Sequence, residues 1–141
     1  MQARPEEPTG GSAPGARILV VEDDPLVAGY IRDVLEASGF LVLGVASSGL
    51  EAVALLQEGI PDLALIDIRL TGAADGIEVA CDLRQRFGVP AIFLSGLDDP
   101  DTAERAKAAR PLGFLQKPFR PSQVYNALAR ALTAIGAPGA R

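Results

Sequence analysis

The sequence predicts an α/β fold, a parallel sheet covered by helices on both faces. Three observations lead there. Short apolar runs recur five times along the 141 residues. Each run is followed by a segment with helical spacing of apolar residues. The runs are near-continuous rather than alternating, as expected of strands buried on both faces.

Taken in order, residues 1–16 (MQARPEEPTGGSAPGA) are rich in Pro, Gly and polar residues and read as a disordered tail. RILVVE, 17–22, is the first strand. Asp24 is placed to cap a helix whose first position is Pro25, where a missing N–H costs nothing. Val27, Ile31, Val34 and Leu35 form its apolar stripe, and Gly39 closes it. FLVLGVA, 40–46, is the second strand, and Ser48 with Glu51 forms a capping-box signature for a helix ending near Gly59. The third strand, 62–67, ends in LALIDIRL. Asp75 and Glu78 repeat the capping pattern before Ile77, Ala80, Leu83 and Phe87. PAIFLS, 90–95, is the fourth strand. Asp99-Pro100 opens the next helix, LGFLQ, 112–116, is a short fifth strand, and 121–135 form a last helix carrying Val124, Leu128 and Leu132 before Gly136. Such alternation implies right-handed crossovers and one domain over 17–135. Residues 136–141 are a short tail, with no output domain expected.

Composition excludes several functions. The chain has no histidine, which removes the Ser-His-Asp triad, His-ligated zinc and any phosphohistidine role of its own. A net charge of −5 argues against nonspecific nucleic-acid binding. No apolar run approaches a membrane span, so no membrane association and a cytoplasmic location are expected. The single cysteine, Cys81, cannot form an internal disulfide and reads as packing at the edge of a helix's apolar face.

In open parallel sheets, sites form beyond the carboxyl ends of the strands. Strand one ends in Glu22, Asp23 and Asp24, strand three in Asp67, strand four in Ser95 and Gly96, and strand five in Lys117-Pro118. Asp24 and Asp75 are well explained as helix caps. Asp67 is harder to explain structurally, because a carboxylate ending a buried strand is costly to desolvate. Crowded carboxylates call for a hard divalent cation such as Mg²⁺. Lysine and serine suit the remaining phosphoryl oxygens, and an aspartate is able to act as a nucleophile that becomes an aspartyl phosphate.

These residues resemble the receiver domain of bacterial two-component response regulators. The motifs are ILVVEDD, LALIDIRL, DGIEVA, PAIFLSG and GFLQKPF, in order, and the resemblance covers about 17–135. It implies a flavodoxin-like (βα)5 fold and a phosphorylation-activated switch. Asp67 would accept a phosphoryl group from a sensor histidine kinase or histidine phosphotransfer protein. Asp23, Asp67 and the backbone carbonyl of Arg69 would ligate Mg²⁺, with Glu22 acting through water. Lys117 would pair with the phosphoryl group across a cis Lys117-Pro118 peptide, and the N–H groups of Arg69 and Gly96 would support its oxygens. Ser95 and Phe114 match a hydroxyl–aromatic switch pair that passes the signal to a downstream protein target or a phosphorelay.

A homodimer through helix four, strand five and helix five is one possible output, over a face carrying Asp101, Glu104, Arg105, Lys107, Arg120 and Arg130. Bulky Arg69 and Leu97 would hinder hydrolytic water. Relative to the family pattern, LTGAADG lacks the common proline after Leu70 and is one residue longer. Ser95 stands for the commoner threonine, and ARPLGF for the usual Gly-Ala. An enzyme alternative, a Mg²⁺-dependent phosphatase of haloacid-dehalogenase-like type, would carry a second Asp two residues after the nucleophile, where this chain has Arg69. A passive phosphate sink is a further alternative.

Overall fold

The computed structural model describes residues 15–72, 74–96 and 100–136, with the side chains of 100 and 101 left aside. Its strands are β1 (Arg17–Val21), β2 (Leu41–Ala46), β3 (Leu63–Asp67), β4 (Ala91–Ser95) and β5 (Gly113–Gln116). Its helices are α1 (Pro25–Ala37), α2 (Gly49–Leu56), α3 (Gly76–Phe87), α4 (Pro100–Ala108) and α5 (Pro121–Ile135). The sheet order is β2-β1-β3-β4-β5 and every adjacent pair is parallel. This is the doubly wound sheet that the alternation predicts, with the flavodoxin-like strand order that the receiver resemblance implies.

Successive strand residues point to opposite faces, so each strand feeds two cores. Ile18, Val20, Leu63, Leu65, Ile92 and Leu94 pack with Ile31 and Leu35 of α1 and Val124, Leu128 and Leu132 of α5. Leu19, Val21, Ala64, Ile66 and Phe93 pack with α2, α3 and the α4 alanine Ala106. Cys81 lies partly buried at the margin of this second core, as its spacing suggests.

The caps form largely as the sequence signals them. Asp24 accepts the Leu26 N–H at 2.9 Å, with Pro25 opening α1. Asp75 and Glu78 form a reciprocal capping box, each bond 2.9 Å. The Ser48–Glu51 signature is only half realised. Ser48 accepts the Glu51 N–H at 3.2 Å, but the Glu51 carboxylate turns to the N–H and hydroxyl of Ser47. Two donors on one residue outbid the single Ser48 N–H.

The tail boundary also moves. Gly15 donates to the Gly39 carbonyl and Leu41 to the Ala16 carbonyl, both at 2.9 Å, and Ala16 is 1% exposed within the core. A small methyl paired to the start of β2 belongs to the fold, although its neighbours in sequence look like linker. Residues 1–14 and 137–141 lie outside the described residues, as do Leu97 and Asp99.

Candidate functional site

The sheet reverses its winding between β1 and β3, and the carboxyl ends of these two strands are where a doubly wound sheet opens a crevice. Val21 pairs with Ile66, so the next residues, Glu22 and Asp67, emerge side by side. Asp67 is 4% exposed and Glu22 only 2%. With half-buried Asp23 they offer carboxylate oxygens that all lie within 4.8 Å of one another.

Lys117, which follows β5, reaches back over this cluster. Its ammonium stands 3.1 Å from Asp67 Oδ2 and 3.2 Å from Glu22 Oε1. Glu22 Oε2 accepts the Asp24 N–H at 3.1 Å, but buried Oε1 makes no hydrogen bond. Its contact with the ammonium is one of charge alone. Burial, with the nearby Asp67 carboxyl, outweighs the Asp24 N–H and Lys117 and pushes Glu22 up to about 7. Burial pulls Lys117 down, yet Asp67 and Glu22 together hold it above the ordinary lysine range.

A buried acid with an unsatisfied oxygen, among hard carboxylate donors and too few cations, fits a small divalent metal such as Mg²⁺. The Arg69 N–H is already spent on Asp67 Oδ1 at 3.0 Å, which orients that carboxyl group, while the Arg69 side chain is exposed. Asp23 is held from across the sheet edge. Its Oδ2 accepts both the N–H of Thr71, at 3.1 Å, and the Thr71 hydroxyl, at 2.9 Å. Burial raises the Asp23 carboxyl, but these two bonds bring it below the usual range.

Gly76, the first residue of α3, sits directly against the end of β3. A Cβ there would lie 1.9 Å from the Asp67 carbonyl oxygen, and the Gly76 N–H donates to Ile68 O at 3.0 Å. Only glycine lets the helix start this close to the strand.

Ser95 closes β4, one step beyond Leu94, which pairs with Asp67. Its carbonyl accepts the Lys117 N–H at 2.7 Å, tying β4 to the residue that bears the ammonium. The Lys117-Pro118 peptide is cis. Phe114 pairs with Phe93 and is 50% exposed, its ring packed on buried Phe93 with centroids 5.9 Å apart. Glu22, Asp23, Asp67, Ser95 and Lys117 thus lie at the carboxyl ends of their strands on one edge of the sheet, whereas Phe114 lies within β5.

Three features escaped the sequence reading: Thr71, the close approach of Gly76, and Arg105. Arg105, counted from sequence on the α4–β5–α5 face, also bonds the Asp75 carboxylate at 2.8 Å. The missing proline after Leu70 was the available signal for Thr71, because only a non-proline residue there has an N–H to give.

A buried acidic cluster crossed by a lysine, at the switch point of a five-stranded parallel sheet, defines a receiver-type signalling module. Residues 18–129 match the response regulator receiver domain model, and the chain belongs to that family. It is 34% identical over 116 residues to phyllosphere-induced regulator PhyR of Methylorubrum extorquens, covering 82% of this chain and 43% of that protein. It is 31% identical over 117 residues to transcriptional regulatory protein PdtaR of Mycobacterium tuberculosis, covering 83% and 57%. The chain thus spans about half the length of these curated relatives. Chemotaxis protein CheY of Halobacterium salinarum is 29% identical, with 84% of this chain and 98% of that protein covered.

Among solved structures, the signal receiver domain of a modulated diguanylate cyclase from Desulfovibrio desulfuricans superposes with a TM-score of 0.81. It shares 38% identity, over 85% of this chain and 95% of that one. Receiver domains are phosphorylation-dependent signalling modules rather than metabolic enzymes, so the phosphatase alternative is not favoured. No described helix is long and apolar enough to cross a membrane.

Proposed function

We propose that this chain is a phosphorylation switch in which Asp67 accepts a phosphoryl group from a phosphohistidine on a sensor kinase or phosphotransfer protein. The observation that carries this reading is the Lys117 ammonium, shared between Asp67 and buried Glu22 beside Asp23. An Asp67 carboxylate oxygen attacks phosphorus, the P–N bond breaks, and the imidazole leaves with the electron pair and takes up a proton. Asp23, Asp67 and the Arg69 carbonyl would hold Mg²⁺, with Glu22 acting through water. The ion supplies the positive charge that crowded carboxylates and incoming phosphoryl oxygens need.

This chain's own groups do the rest. Lys117 exchanges part of its contact with Asp67 for a phosphoryl oxygen. The Gly96 N–H and the Ser95 hydroxyl take the others, joined by the Arg69 N–H as it leaves Asp67 Oδ1. Inward movement of Ser95 leaves room for the half-exposed Phe114 ring, and the α4–β5–α5 face changes its affinity for a second copy or a target protein. The donor protein docks beside the site, where exposed Leu26 and Tyr30 adjoin Lys117, Pro118 and Phe119 around a depression of about 560 Å³.

Incubation with acetyl phosphate and Mg²⁺, followed by intact-mass measurement, tests the reading. About one phosphoryl group per chain is expected, and none when the metal is chelated. Equal modification with and without Mg²⁺ would overturn the metal's part in it.

A further inference from the structure

The loop after β3 carries a feature that the phosphoryl chemistry does not use. Thr71 spends both of its donors, the backbone N–H and the side-chain hydroxyl, on a single oxygen of Asp23, 48 residues away in sequence. Two bonds of 3.1 and 2.9 Å hold that one carboxylate oxygen from two donors. In this orientation Asp23 brings an oxygen within 4.8 Å of those of Glu22 and Asp67. Asp23 is the least buried of the three acids and has no strand to hold it, since β1 ends at Val21.

Thr71 is itself well placed to hold still. Leu70 before it is buried, and Gly72 after it turns the chain at φ 109°, where a side chain would be strained. The far end of the loop is fixed by the Asp75–Glu78 capping box and by the Arg105–Asp75 ion pair.

We infer that Thr71 is a positioning residue for the divalent-cation site: it holds Asp23 in the orientation that completes the acidic cluster. This rests on the proposed metal role of Asp23, and it deepens that role. The ordering of the Asp23 side chain is done by the protein before the ion arrives, so less freedom is lost on binding. By reciprocity, a bound cation that steadies Asp23 also steadies Thr71 and the loop it starts. Thr71 thereby senses occupancy of the site through Asp23.

The test is Mg²⁺ titration by calorimetry on the full chain, comparing wild type with Thr71→Val, Thr71→Ser and Asp23→Ala. Valine keeps the shape and the N–H but removes the hydroxyl. It should weaken Mg²⁺ binding by about three- to fivefold, part of the cost of ordering one side chain, because the Thr71 N–H still holds Asp23. Serine restores the hydroxyl and should bind within about twofold of wild type, the precision such comparisons allow. The metal-free melting temperature of the valine variant should fall by no more than the few degrees that one lost hydrogen bond costs, and serine should restore it, so that the loss reads as positioning and not as general damage.

A second readout does not depend on the variants. The Thr71 amide resonance of the wild type should shift on Mg²⁺ addition and saturate with the calorimetric affinity. Valine binding as tightly as wild type, or more tightly, would overturn the inference, as would a Thr71 amide that ignores the ion. If Asp23→Ala abolishes binding while Thr71→Val leaves it intact, only the role of Thr71 fails. If the wild type binds no Mg²⁺, or Asp23→Ala binds as well as wild type, the metal reading beneath it fails too.

Discussion

Replacing Gly76 by alanine probes how tightly the fold and the site are joined. The added Cβ would stand 1.9 Å from the Asp67 carbonyl oxygen, 2.7 Å from the Asp67 carbonyl carbon and 2.7 Å from the Ile68 Cα. All three are backbone atoms of the strand end, so no flexible side chain is available to swing away. Relief to 3.0 Å, the closest separation that real Cβ atoms show, requires α3 and β3 to part by at least about 1.1 Å. The Gly76 N–H to Ile68 O bond at 3.0 Å would stretch with it.

Overpacking of this kind costs roughly 1–3 kcal/mol. Alanine's advantage over glycine recovers little of that at the first position of a helix. A lowering of the melting temperature by roughly 4–10 °C is expected for a domain of this size. The functional loss should be larger than the thermal one, because a misplacement of about 1 Å at a reacting group costs on the order of 100-fold in rate. Thermal unfolding and the acetyl phosphate-dependent phosphorylation rate, measured on the same preparation, give both quantities. Wild-type stability together with a wild-type rate would refute the claim that Gly76 sets the position of Asp67.

Glu22→Gln should raise stability at neutral pH in chelator. Folded Glu22 holds its proton to about pH 7 whereas the unfolded chain releases it near 4.5, so the wild type gives up stability as pH rises through that interval. The advantage of the Gln variant should therefore grow from pH 5 to pH 8 and reach on the order of 2–3 kcal/mol; an advantage independent of pH in denaturant titrations would contradict this. Arg105→Ala should raise the Asp75 carboxyl toward the ordinary aspartate value. Burial already pushes that group up, and the Glu78 N–H with Arg105 holds it down; an unshifted carboxyl resonance titration would show the ion pair to be idle. Phe114→Ala should cost roughly 1–2 kcal/mol, less than a core phenylalanine because half the ring is exposed, and should abolish phosphorylation-dependent association. Light scattering with and without beryllofluoride checks the second part, and association that survives the substitution would remove Phe114 from the switch.

The elements most legible in the sequence were those governed by local rules. Apolar runs, proline at a helix start, and carboxylates three residues before a partner glutamate act over a few positions, and Asp24, Pro25, Asp75 and Glu78 stand where those rules put them. The gathering of Glu22, Asp23, Asp67, Ser95 and Lys117 was legible for a related reason: strand ends of a parallel sheet share one edge, so topology alone brings distant residues together. Pairings not dictated by the sheet were hidden. Thr71 meets Asp23 across 48 positions, and Arg105 meets Asp75 across 30, with no periodicity to announce either. Gly76 follows the Asp75 cap in sequence, and its closeness to β3 has no local signal, because the distance from a missing Cβ to a neighbouring strand is a property of packing. Ala16 reads as tail because its place in the core, and its carbonyl's bond to Leu41 at the start of an edge strand, have no local signature.

The central claim is that Asp67 is the residue that accepts phosphorus from nitrogen. Phosphoimidazole, a small donor with the same P–N bond as phosphohistidine, isolates that step from any docking surface. The chain should be incubated with it in Mg²⁺, the acyl phosphate reduced with borohydride, and the modified peptide sequenced by mass spectrometry. The expected result is a single reduced aspartate at position 67, absent from Asp67→Asn and from samples treated with chelator. Modification at another carboxylate, or undiminished labelling of the Asn variant, would contradict the assignment.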